Sequence, residues 1–209
     1  MRIAGKAVLA VVLSAGVAQA APLTGSYSIS GGFVPVTSAG SATTIAASEA
    51  LDFVPLFVLG DPAPTPTPGT PGAFTVNQAS GDFADLAGSV GTMKDLSLIG
   101  GGGDYMGVPI SAFQMFGGVS FDLDSIQIQK QQFGDDEAII INGIGTLNRD
   151  GFESAAARMI FTGQSVDDQT FTFSSSQTTI NGSVPEPASI LMMGAGLLGF
   201  AAVLRRRRA

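Results

Sequence analysis

Carboxylates are the groups through which this chain could do chemistry. It has 17 Asp and Glu among 209 residues, and neither histidine nor cysteine. Without imidazole or thiol it cannot build a Ser-His-Asp triad, a Cys-His pair, a histidine-ligated zinc site or a haem-attachment motif. What remains is acid–base work by paired carboxylates, Ser-Lys nucleophiles and oxygen-ligated metals. Two acidic groupings stand out, Asp135-Asp136-Glu137 and Asp150 with Glu153. Carboxyl pairs cleave glycosidic bonds when they flank a held sugar. Here tryptophan is absent and the tyrosines are only Tyr27 and Tyr105, so sugar-stacking platforms are scarce and a carboxylate glycosidase is a minor alternative. Acidic residues beside glycine are more often solvated turn tips. The chain as a whole is read as non-catalytic.

No cofactor is expected. Calcium is the one metal that oxygen-rich turns would suit, with Asp135, Asp136 and Glu137 the first candidates, although no stretch reproduces an EF-hand loop or a nonapeptide calcium repeat. Gly100 to Gly103 followed by Asp104 lacks the Lys-Ser/Thr and the helix of a phosphate-binding loop, and reads as a flexible turn. Asn181-Gly182-Ser183 matches a glycosylation triplet too short to carry weight.

These groups lie between two hydrophobic ends that obey membrane physics. Arg2 and Lys6 precede the apolar run Ala7 to Val17, and Ala18-Gln19-Ala20 follows. That is the layout of a secretory signal peptide over residues 1–20, with Ala18 and Ala20 forming the signal peptidase site. Residues 188–204 are seventeen residues without a charge, followed at once by Arg205, Arg206, Arg207 and Arg208. At 1.5 Å per residue the segment reaches roughly 26 Å, nearly the thickness of a bilayer's hydrocarbon core. The arginines act as a stop-transfer anchor on the cytoplasmic side and place everything before Pro187 outside it. The expected layout is therefore an N-terminal signal helix, an exported domain over 21–184 and a C-terminal transmembrane helix. The exported part carries four basic residues against sixteen acidic ones, a formal charge of −12. Such a surface repels nucleic acid and anionic lipid, and attracts divalent cations or basic partners. With no cysteine, it rests on its own core.

Short apolar runs bounded by glycine recur through residues 26–173, and helical periodicity is scarce. The pattern predicts an all-β domain, a sandwich or roll of short antiparallel strands. Residues 61–72 hold five prolines from Pro62 on, which no strand interior tolerates, and read as an extended loop within that domain. Phe121 and Leu123 share one strand face while Ile126 and Ile128 fall on the other parity. A turn or bulge near Asp124-Ser125 is needed to keep both pairs inside.

Val184-Pro185-Glu186-Pro187-Ala188, the apolar span and the arginine cluster, taken in that order, resemble the PEP-CTERM sorting domain of exported proteins of Gram-negative bacteria. The likeness covers residues 185–209. Short segments of the body, Phe74 to Phe83, Gly91 to Asp95 and Phe171 to Ser176, are similar to other proteins with this tail and point to no activity. The resemblance implies recognition of Pro185, Glu186 and Pro187 by exosortase, an integral-membrane protease, while 188–204 holds the inner membrane. It implies that the domain resides in the periplasm and then passes to the cell surface or extracellular matrix, in association with exopolysaccharide. A carbohydrate- or calcium-binding matrix module is the alternative role.

Overall fold

The computed structural model describes residues 20–55, 64–100, 106–134, 136–165 and 171–180. The signal helix, the transmembrane helix and the sorting tail lie outside the described residues. Among the described residues no helix is long and apolar enough to cross a membrane.

The strands are β1 (Ala21–Pro22), β2 (Gly25–Val36), β3 (Ala50–Phe53), β4 (Gly72–Gly81), β5 (Val90–Met93), β6 (Leu96–Ser97), β7 (Ile110–Phe116), β8 (Val119–Phe133), β9 (Asp136–Arg149), β10 (Phe152–Glu153), β11 (Ala155–Ser165) and β12 (Phe171–Thr179). One 3-10 turn, Ala84–Leu86, precedes β5. The fold is all-β, but neither a sandwich nor a roll. The sheet runs β12-β11-β9-β8-β7-β5-β4-β2, and β12 then pairs with β2, closing an eight-stranded antiparallel barrel. Alternation along a strand is the same whether its inner face meets a second sheet or the far wall of its own sheet, so the closing pair decides the architecture. That pair joins Thr178 to Ser26 and Phe171 to Phe33 in register. Beyond the reach of β4, β3 takes over the same side of β2, with Phe53 opposite Phe33, and β6 extends from β3.

The strand periods are read directly from the sequence. β11 and β12 alternate buried and exposed residues, with Ala157, Met159, Phe161 and Phe171, Phe173 turned inward. β8 needs a phase change, and it has one: the register with β9 slips between Leu123 and Ser125, leaving Asp124 as the extra residue of a bulge. Phe121 and Leu123 are buried, and Ile126 and Ile128 pack against the same core.

Eight strands leave an interior just wide enough for side chains to fill. Phenylalanine does most of the filling. Phe161 stacks on Phe173 with centroids 5.1 Å apart, Phe53 meets Phe173 edge-on at 5.4 Å, and Tyr27 meets Phe116 at 4.6 Å. Rings of this size require small residues on the opposing wall. At Gly163 a Cβ would lie 2.7 Å from the Phe33 ring and 3.0 Å from Ile139, so the glycine is what admits the phenylalanine.

Register places the ends. Gly25, Thr179, Gly81, Arg149 and Ala155 lie at one end of the barrel, with the turns Gly117-Gly118 and Asp150-Gly151. The β8–β9 hairpin tip, residues 64–71 of the Pro-rich segment and the loop before β3 lie at the other.

Candidate functional site

Three places bear on function: the end where the chain enters and leaves the barrel, the acidic groupings, and the buried carboxyls.

Both described termini emerge at the same end. Ala20 is exposed and is followed at once by β1, which pairs in parallel with β10 through Ala21–Phe152 and Pro22–Glu153. The buried side chain of Leu23 then enters the core. On the other side, Thr179 grips β2 through its hydroxyl, which accepts from Gly25 N at 3.1 Å and lies 3.2 Å from Gly25 O. Ile180 N donates to Ala156 O at 2.7 Å, the last hydrogen bond among the described residues. Four residues, 181–184, separate that anchor from Pro185. Ala18, Pro185, Glu186, Pro187 and Arg205, Arg206, Arg207 and Arg208 lie outside the described residues.

The same end carries a groove of about 470 Å³ between the Gly117-Gly118 and Asp150-Gly151 turns. Arg149 on its wall is held in place by a bidentate pair with Asp85 at 3.0 and 2.7 Å and lies over the Phe152 ring at 5.7 Å. The guanidinium holds the Asp85 carboxyl below its ordinary value.

The acidic groupings do not converge. Asp136 and Glu137 stand at the far end, at the start of β9, whereas Asp150 is an exposed turn residue at the terminal end and Glu153 belongs to β10. A barrel's length separates them. Asp135 lies outside the described residues. Glu137 has a structural role, since its Oε2 accepts from Ile45 N at 2.6 Å and so fastens the loop before β3 to β9. Lys130 reaches the carbonyls of Ala46 and Ser48 in the same loop. Burial pulls the Lys130 ammonium below its ordinary value, against the opposing charges of Glu137 and Glu49. Among the described residues no group of three or more Asp and Glu could hold a metal ion.

Two carboxyls that residue type and spacing do not single out are buried at the far end. Asp52, in β3, is fully buried, and Asp95, between β5 and β6, is 4% exposed. Asp95 accepts from Phe53 N at 2.9 Å and from Gly69 N at 2.8 Å, so one carboxyl joins β3 to the Pro-rich segment. Burial pushes it up to about 7, with the Asp52 charge adding to the rise and the two amides opposing it. The two partners of Asp95 are 42 and 26 residues away, and no local pattern announces such a contact.

Compared with known proteins, the chain matches one family model, the PEP-CTERM protein-sorting motif, over residues 183–208. No curated protein and no solved structure matches it. The matched residues contain the Pro-Glu-Pro triplet, the apolar span and the arginines in the order a sorting signal requires, so the chain carries the signal of an exosortase-processed exported protein with a C-terminal membrane anchor before processing.

Proposed function

We infer that this PEP-CTERM chain is a non-catalytic barrel protein of the cell surface or extracellular matrix, associated with exopolysaccharide after its tail is removed. The observation that carries this reading is the sorting motif at 183–208, whose Pro-Glu-Pro triplet is separated by four residues from Ile180, the last described residue of the barrel. Two features support the absence of catalysis. The interior is filled by phenylalanine, and the acidic groupings stand at opposite ends. Export places the barrel in the periplasm first, held to the inner membrane by residues 188–204.

The test is the intact mass and cell fraction of the protein in its native host, for wild type and for Pro185→Ala/Glu186→Ala/Pro187→Ala together. Wild type loses the span and leaves the inner membrane, while the triple variant keeps both. Full-length wild type that stays in the inner membrane would reduce the tail to a plain anchor.

A second reading, a module for uncharged polysaccharide, draws on the outer face of β12, β2 and β4. Ser174, Ser176 and Thr178 lie in register with Ser30, Ser28 and Ser26, and Ser80 lies opposite Ser26. A groove of about 580 Å³ runs along this face, with Asn77, Gln78 and Ser80 on its β4 side. Among the described residues no carboxylate lines it, although the exported part carries sixteen. Glycan arrays with and without calcium decide between the two readings.

A further inference from the structure

The interior of the terminal half of the barrel contains a polar cluster inside a wall of apolar side chains. Its members come from four strands: Tyr27 (β2), Gln114 (β7), Met159 (β11) and Gln177 (β12). Gln114 and Gln177 are fully buried, and Tyr27 is 2% exposed. Tyr27 donates its hydroxyl hydrogen to Gln114 Oε1 at 2.9 Å, and burial raises that phenol well above its ordinary value, so it stays a donor at any physiological pH. Gln114 Nε2 reaches the thioether sulfur of Met159 at 3.9 Å, a weak acceptor for an amide. Gln177 donates from Nε2 to Ser175 Oγ at 2.8 Å, and its Oε1 has no hydrogen-bond partner among the described residues.

Register brings the two amides to one place. Gln177 lies opposite Tyr27 on β2 and opposite Met159 on β11. Those two side chains are also the ones that the tip of Gln114 touches. An acceptor without a donor and an amide poorly satisfied by sulfur thus face the same Tyr27–Met159 pair. A buried amide oxygen left bare loses its hydration without replacement, and folded proteins keep few such groups. A water molecule can donate to one amide and accept from the other, and buried waters occur about once per 27 residues, at polar sites of this kind.

We propose that the barrel binds one long-lived water molecule in its interior, donating to Gln177 Oε1 and accepting from Gln114 Nε2. The site is internal and independent of the sorting tail. It also gives a reason for glutamine on the inner face of the closing strand, where Phe171 and Phe173 precede it.

The test is water-to-protein cross-relaxation at the glutamine side-chain amides of the full-length chain in detergent micelles, with glutamine nitrogen labelled. Long-lived water should give cross-peaks at both the Gln114 and Gln177 amides. These should persist in Tyr27→Phe, which removes relay through the phenol hydroxyl. In Gln177→Met, an apolar replacement of similar volume, the Gln114 cross-peak should fall to background. Absence of cross-peaks in wild type would overturn the proposal, as would a Gln114 cross-peak unchanged in Gln177→Met.

Discussion

Asp122 holds Ala112 in a left-handed backbone conformation. The Oδ1 atom of Asp122 accepts from Ala112 N at 2.6 Å while Ala112 sits at φ 48°, and Oδ2 accepts from the Asn148 amide at 3.0 Å. One carboxylate on β8 therefore fixes the irregular stretch of β7 between Ile110 and Gln114 and ties it to β9. A non-glycine residue there is strained by about 1–2 kcal/mol. Ala112→Gly relieves that strain and restores chain entropy to the unfolded state, for a net stabilisation of up to about 1 kcal/mol. Asp122→Ala leaves a backbone amide and an Asn side chain without their acceptor, and should cost about 1–3 kcal/mol. Urea denaturation of both variants measures the pair, and a destabilised Ala112→Gly would contradict the account.

Asp95 makes stability depend on pH. Its native value of about 7 lies above the ordinary 3.8, so between those limits the folded chain keeps a proton that the unfolded chain has released. The contribution is fully present below that ordinary value and is lost as pH rises through 7, with a slope of at most about 1.4 kcal/mol per pH unit from this one group. Melting temperatures from pH 4 to 8 should fall across that window in wild type. Asp95→Asn should flatten the profile, and an equally steep profile in that variant would place the titrating group elsewhere.

Glu137 supports the loop before β3 through the hydrogen bond it accepts from Ile45 N. Glu137→Ala removes the acceptor of Ile45 N, so its melting temperature should drop by the same amount in calcium and in EDTA. Wild type should melt at one temperature in both buffers. A higher value in calcium would restore Asp135, Asp136 and Glu137 as ligands.

Gly163 and Phe33 form one packing unit, so their effects should not add. Gly163→Ala alone places a methyl group against the Phe33 ring and should cost about 1–3 kcal/mol. In a Phe33→Leu background the same substitution should cost markedly less, and a thermodynamic cycle reads the difference. Equal costs in both backgrounds would show that the ring is not what excludes the methyl.

How much of the molecule is legible in its sequence depends on the distance between partners along the chain. The bulge at Asp124 follows from four residues, because Phe121, Leu123, Ile126 and Ile128 cannot share a face without it. Short apolar runs mark strands of the barrel, although β8 and β9, at 15 and 14 residues, are longer than the short strands that this pattern predicts. Closure is different in kind. Ser26 and Thr178 are about 150 positions apart, and the outward serines of β2 and β12 would look the same on an open sheet. Asp95 is hidden for a related reason: an isolated aspartate in Lys94-Asp95-Leu96 gives no sign that it will be buried under a proline-rich loop. The sorting tail stands at the opposite extreme. Its motif, span and arginines are contiguous, so Pro185 to Arg208 reads without any knowledge of the fold.

Chain entry at Ala21 and chain exit at Ile180 share one pole, and the β8–β9 tip with the exposed ring of Phe133 stands at the other. β8 is 15 residues long; at roughly 3.3 Å per residue and a tilt of about 40°, it lifts that tip roughly 40 Å along the barrel axis. Only residues 181–184 stand between Ile180 and the Pro-Glu-Pro triplet, so along the chain the sorting motif follows directly on the pole of chain exit. What the far pole presents is then fixed by the wall of a closed sheet, and both crossings of the chain into and out of that wall are kept at the opposite pole.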